Sequence, residues 1–172
     1  MKIYTLKTVQ NLPVSLEEAW DFFSSPHNLK TITPDYMGFD IISGGDRKMF
    51  SGQIIQYIVT PVAGIKTKWV TEITHVKEKE FFVDEQRFGP YALWHHKHFF
   101  KEIPGGVEME DIVDYKLPFG FMGRIVHPWL VGPKLKEIFD FRREKLKELF
   151  GEYAPLKDQK TEITERSTSQ EL

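Results

Sequence analysis

Between Phe39 and Pro118 the chain strings together six runs rich in β-branched and aromatic residues: FDIIS, SGQIIQYIVTP, GIKTKWVTEITHV, KEFFVDEQRF, YALWHHKHFFKEI and GVEMEDIVDYKLP. The breaks between them, GGDRKM, VA, KE, GP and PGG, are hairpin-sized, whereas a crossover between parallel strands needs about a dozen residues or more. This stretch is therefore limited to an antiparallel meander. Upstream, KIYTLKTVQ alternates as a half-buried strand does and ends at NLP. Ser15 and Glu18 stand at capping-box spacing ahead of Leu16, Ala19, Trp20, Phe22 and Phe23, which predicts a short amphipathic helix stopping near Pro26. HNLKTITP reads as a second short helix or turn.

Downstream the pattern becomes helical again. Gly132 and Pro133 mark the start, Leu135, Ile138, Phe139, Leu146, Leu149 and Phe150 form one apolar face with Lys, Glu and Arg opposite, and Gly151 is placed to stop the helix. Residues 1–151 read as one domain, and residues 152–172 as a polar tail too poor in apolar groups to pack, hence mobile. The class is α+β: a curved antiparallel sheet with two short N-terminal helices and one long C-terminal helix. A strongly curved sheet has one apolar face to cover, and only the terminal helix is long enough to cover it. Where sheet and helix do not meet, an internal cavity is expected.

Strand parity says what faces that cavity. In the run at 91–103, Lys97 and Lys101 share a face with Leu93, His95 and Phe99, so Trp94, His96, His98 and Phe100 point inward. In the run at 106–118, Glu108, Glu110, Asp114 and Lys116 claim the outer face, leaving Val107, Met109, Asp111, Val113, Tyr115 and Leu117 inside. Lys66, Lys68 and Glu72 send Trp69, Thr71 and Ile73 inward. FFVDEQRF is mixed on both faces; we place Phe82, Asp84, Gln86 and Phe88 inside because Glu85 and Arg87 suit water. The expected interior thus has walls of Trp69, Trp94, Phe100, Met109 and Tyr115 and a polar cluster of Asp84, Gln86, His96, His98 and Asp111. A carboxylate buried without partners costs several kcal/mol or more, so these groups pair with one another or meet water or a ligand.

For His96 and His98 three readings stand: a hydrogen-bonded pair with Asp111 and Asp84 that stiffens the sheet, cavity lining that touches a ligand, or metal ligation. His95 reads as a surface residue, and His27, His75 and His127 lack a supporting pattern. Trp129, in HPWLVGP, is either a cover over the pocket mouth or a packing anchor. LPFGFMG lacks the context of a phosphate-binding loop, so Gly120 and Gly123 read as turn glycines.

Bulk properties exclude other classes. The 172 residues carry a formal charge of −2 with scattered basic residues, which gives no footprint for nucleic acid or an anionic membrane. No apolar run approaches the ~20 residues of a membrane span, and the first residues lack the apolar block of a secretion signal. With no cysteine, thiolate chemistry and disulfides are excluded, and the expected location is the cytoplasm. The sequence sets no oligomeric state.

The element order, with GPYALWHHKHFF, MEDIVDYKLPFG and IFDFRREKL, resembles the SRPBCC superfamily, which includes START lipid-transfer domains, polyketide cyclases and birch-pollen-allergen relatives. The similarity runs roughly to Phe150 and is strongest from Asp84 onward. More narrowly the chain resembles bacterial ligand-binding members with a W-x-H-x-H strand, here Trp94, His96 and His98, followed by a D-x-V-x-Y strand, here Asp111, Val113 and Tyr115. The resemblance implies a helix-grip fold around a deep apolar cavity and no shared catalytic set. The expected function is binding of a small, largely hydrophobic ligand. Trp69, Trp94, Phe100, Met109 and Tyr115 would supply contact area, Asp84, Gln86, His96, His98 and Asp111 would orient its polar group, and no cofactor or metal is assigned. The alternative is a cyclase, dehydratase or hydrolase using His96 or His98 with Asp111 as acid and base, or a metal-binding variant.

Overall fold

Eight strands make one sheet, and their spatial order, β2-β3-β4-β5-β6-β7-β1-β8, follows from the hairpins. The computed structural model describes residues 2–60, 65–118, 127–154 and 161–167. Gly120 and Gly123 lie outside the described residues.

The elements are β1 (Lys2–Leu12), α1 (Leu16–Phe23), α2 (Pro26–Thr31), a 3₁₀ turn (Asp35–Met37), β2 (Asp40–Ser43), β3 (Gln53–Val59), β4 (Thr67–Lys77), β5 (Phe81–Phe88), β6 (Leu93–Ile103), β7 (Gly106–Lys116), a π-helical turn (His127–Val131), α3 (Gly132–Phe150) and β8 (Thr161–Ser167). Ser15 caps α1 as its spacing predicts, its Oγ accepting from the Glu18 amide at 3.2 Å. Gly151, at φ 90°, ends α3 with its N–H on the Lys147 carbonyl. That backbone angle is one an L side chain rarely adopts.

Every strand pair between β2 and β7 is antiparallel, and β1 returns to pair with β7, Tyr4 opposite Tyr115 and Leu12 opposite Val107. Register shifts between Val70 and Thr71 and between Ile73 and His75 kink the β4–β5 pair, the kind of irregularity that bends and twists a sheet.

The core divides into three clusters, and their membership locates the cavity. Leu146 joins Leu12, Trp20, Phe82, Phe100, Val107 and Met109 under α1. Leu135, Phe139 and Val131 join Tyr4, Leu6, Val113 and Tyr115 on β1 and β7. The third cluster, Ile55, Tyr57, Val59 and Ile73 on β3 and β4, contains no residue of α3. The helix therefore grips the β1–β7 half of the sheet, the β3–β4 half curls past it, and the space between stays open.

Four expectations change. Leu149, assigned to the apolar helix face, is exposed, whereas its neighbour Phe150 packs on Phe22 at 5.0 Å; Phe88 is exposed as well, since β5 pairs with β6 only as far as Glu85 opposite His95. Residues 161–167 form an edge strand on β1, Leu6 facing Ile163, and Ile163 packs against the second cluster. TEITERS alternates β-branched with charged residues, enough to pair an edge though not to build a core. Arg142, counted with the solvated charges of α3, is buried.

Because Leu146 is fully buried in the cluster that ties α3 to α1, β1 and β7, Leu146→Ala should destabilise the fold by about 2–5 kcal/mol. Urea unfolding followed by tryptophan fluorescence reads this directly.

Candidate functional site

The cavity is about 170 Å³, somewhat larger than the roughly 150 Å³ that admits a benzene ring in an engineered apolar core. Ile55, Tyr57, Val59, Trp69 and Ile73 wall one side, Leu135, Ile138 and Phe139 of α3 the opposite side, and Phe22, Phe23, Leu29 and Ile32 an end. Asp84, His96, His98 and Arg142 also reach the cavity. The chamber is largely apolar and aromatic, with these four groups together on one wall and Lys134 of α3 also in its lining.

That wall is built across three strands. Asp84 on β5 pairs directly with His96 on β6, and His98, two residues on and on the same face, pairs with Asp111 on β7. Asp84 Oδ2 lies 2.9 Å from His98 Nε2 and 3.5 Å from His96 Nδ1. Asp111 Oδ1 lies 3.2 Å from His96 Nε2 and 2.7 Å from His98 Nδ1, the latter close in distance but off the hydrogen-bond direction. The two imidazoles sit 3.8 Å apart between centroids, with Phe82 stacked on His98 at 4.0 Å. Each ring thus has one nitrogen toward Asp84 and the other toward Asp111.

Asp111 is 0% exposed. Arg142 reaches down from α3, its Nη1 3.4 Å from Asp111 Oδ2 and its guanidinium 4.7 Å from the centre of the Phe139 ring. Burial strongly opposes ionisation of Asp111, yet the charge of His98, the close approach of both imidazoles and the charge of Arg142 outweigh it, and its carboxyl is held well below the usual carboxylate range. Asp84 is lowered on the same balance, burial against His96 and His98. The histidines diverge: burial and the neighbouring His98 push His96 down, whereas at His98 burial is overcome by Asp111 and Asp84 and its value rises. Two adjacent rings with opposite shifts are suited to holding one proton between them.

Of the residues expected at the site, Trp69, Asp84, Trp94, His96 and His98 line the cavity. The other five lie elsewhere. Asp111 sits behind the histidines, against Arg142. Phe100 and Met109 are in the cluster beneath α1, where Trp20 meets Phe100 edge-on at 5.6 Å. Tyr115 is pinned to the segment before α3, its hydroxyl 2.7 Å from His127 Nε2, and Tyr4 stacks on that imidazole at 3.6 Å. Gln86 turns to the β5–β6 connection, donating to the Tyr91 carbonyl at 2.7 Å and accepting from the Tyr91 amide at 3.2 Å. A Cβ at Gly89 would come within 2.4 Å of the Gln86 side chain, so glycine there lets the brace form.

Sequence reasoning missed Arg142, Tyr91 and His127. Tyr91, held by Gln86, lines the cavity beside Trp69 at 5.7 Å and Trp94 at 4.8 Å. Arg142 carried a signal, since 135, 138, 139, 142 and 146 follow one helical face. Trp129 is 84% exposed and does not line the cavity.

The buried network makes two outcomes measurable. Asp111→Ala leaves Arg142 without its counter-charge and should cost about 3–5 kcal/mol in urea unfolding, with part recovered by adding Arg142→Met. Asp84 and Asp111 have folded values below their unfolded ones, so their stabilisation is complete above about pH 4 and is lost as pH falls through the folded values. Unfolding free energy should decline on acidification, with a shallower slope in Asp111→Asn.

No protein-family model matches the sequence, and no curated protein does. Solved structures do match. A START superfamily protein from Mycobacterium smegmatis is 14% identical, with 85% of this chain and 99% of that one superposed at a TM-score of 0.64. Ginseng major latex-like protein 151 from Panax ginseng is 11% identical over 86% and 97%, at 0.60. Ara h 8.0201 is 14% identical over 85% and 99%, at 0.53. With the sheet order and the gripped helix described above, these similarities establish that the chain has the helix-grip fold, the fold of those three structures.

Proposed function

We propose that the chain binds a small, largely hydrophobic molecule in the cavity, apolar body against Trp69, Tyr91, Trp94 and Phe139, polar end against Asp84, His96, His98 and Arg142. The observation that carries this reading is the composition of the chamber: a space somewhat larger than one that admits a benzene ring, lined mostly by apolar and aromatic side chains, with Asp84, His96, His98 and Arg142 gathered on one wall. Apolar chambers with a few convergent polar groups are the common form of small-molecule sites. No helix among the described residues is long and apolar enough to cross a membrane, in keeping with a ligand carried inside the domain. The helix-grip fold supports the reading as architecture only, since function resides in the site.

The charged wall sets the class of ligand. Asp84 accepts, Arg142 donates, and each histidine can do either according to its tautomer. A hydroxyl or carbonyl matches that wall better than a purely hydrocarbon end.

Naphthalene and 2-naphthol, titrated against tryptophan fluorescence, test this. Both should bind and quench Trp69 and Trp94, with 2-naphthol favoured by about fivefold, the value of one net hydrogen bond near 1 kcal/mol. Ile138→Trp, which fills the chamber from α3, should abolish both. Binding that survives Ile138→Trp unchanged, or no saturable binding of either probe, would sink the proposal. Native mass spectrometry of the purified protein should show a co-purifying apolar molecule that the filled variant lacks.

A further inference from the structure

We propose that Asp84, His96 and His98 form a site for one divalent transition-metal ion, such as zinc or ferrous iron, with open coordination positions facing the cavity. This goes beyond ligand binding but rests on that reading in one respect, because the open positions would meet the ligand's polar end.

Three geometric observations carry it. One donor atom from each of the three residues lies within 4.8 Å of the other two. The carboxylate oxygen of Asp84 is 2.9 Å from His98 Nε2 and 3.5 Å from His96 Nδ1. Donors held about 2.1 Å from a common cation stand roughly 3.0 to 3.4 Å apart in octahedral and tetrahedral arrangements, so the spacing to Asp84 already suits an ion.

The second observation is how the two rings are oriented. The nitrogens turned away from Asp84, Nε2 of His96 and Nδ1 of His98, both face Asp111. Metal-bound histidines almost always direct their other nitrogen at a carboxylate or carbonyl, which fixes the tautomer and the plane of the ring. Asp111 Oδ1 would hold His96 through the 3.2 Å hydrogen bond and face His98 Nδ1 at 2.7 Å, outside the hydrogen-bond direction. Its remaining oxygen faces Arg142, and it is fully buried on a central strand, so it cannot swing out to become a ligand itself. With each ring keeping its single proton toward Asp111, two nitrogen lone pairs and one carboxylate oxygen converge on a single point. A cation at that point would replace the proton that otherwise joins His98 Nε2 to Asp84 Oδ2 across 2.9 Å.

The third observation is access and rigidity. All three donors come from two paired strands, Asp84 directly opposite His96, and all three line the cavity, whereas Asp111 does not. Three protein donors with vacant positions toward a chamber are the arrangement of reactive rather than purely structural metal sites. Two imidazoles and a carboxylate, with no thiolate in the chain, favour zinc, iron, manganese or cobalt over copper(I).

The test uses full-length protein freed of metal by dialysis against a chelator. Zinc and cobalt(II) should bind at one equivalent per chain with micromolar or tighter affinity, and cobalt should show d–d absorption of a nitrogen and oxygen environment. Asp84→Asn and His98→Asn should each lose at least a hundredfold in affinity. Asp111→Asn should lose ten- to a hundredfold at unchanged stoichiometry. His95→Asn, on the outer face beside Glu85, should bind as the parent does. Should the inner variants fail to fold, ring ¹⁵N spectra of the parent chain decide: zinc should shift His96 and His98 and leave His95 in place. No saturable binding, binding retained in Asp84→Asn and His98→Asn, or unmoved His96 and His98 resonances would overturn the site. Binding of 2-naphthol to the metal-free protein is scored separately, so the metal site can fail while the ligand reading stands.

Discussion

A carboxylate with no exposed surface, on the inward face of a central strand, has to be neutralised from within the protein. Asp111 is that group, and much of the interior is arranged around it. Arg142 answers its charge from the same face of α3 as Leu135, Phe139 and Leu146. The other oxygen of Asp111 faces both imidazoles, which Asp84 meets from the opposite side. Ion pairs of this kind are weak evidence for stability, because desolvation cancels most of the attraction; what they supply is one arrangement in preference to others.

The chamber itself comes from uneven fastening. On β7, successive inward residues meet successive levels of the helical segment: Tyr115 meets His127, Asp111 meets Arg142, and Val107 and Met109 share a cluster with Leu146. Nothing comparable ties the helix to β3 and β4, whose apolar residues cluster among themselves. Sheet curvature, assisted by the register shifts of β4 against β5, carries that half over the helix at a distance. The interior is consequently solid on one side and hollow on the other, with the histidines on the boundary between them.

Much of this was legible in the residues. Lysines on alternate positions of β6 and acids on alternate positions of β7 settle which histidines and which aspartate face inward, because lysine and glutamate seek water in nearly every context. Ser15 and Gly151 mark helix ends by local chemistry alone. What stayed hidden needs tertiary pairing. Alternation places Phe100, Met109 and Tyr115 inside but cannot say whether an inward residue meets a helix or a void. Gln86 reads as a polar wall residue, yet its amide matches the backbone of Tyr91 across a turn whose shape no pattern reveals. Arg142 lies on the apolar helical face by position and off it by charge, and only the carboxylate opposite resolves the contradiction.

The strand at 161–167 has a consequence beyond local order. An open sheet presents a row of unsatisfied amides and carbonyls along each margin, and such margins recruit other chains into fibres. Here one margin is β8, the seven-residue later segment laid along β1, and the other is β2, four residues long with an irregular register at Ile41 and Ser43. The eleven-residue strands β1, β4, β6 and β7 all lie inside the sheet, and only the two shorter ones at the margins offer unpaired backbone for another chain to join.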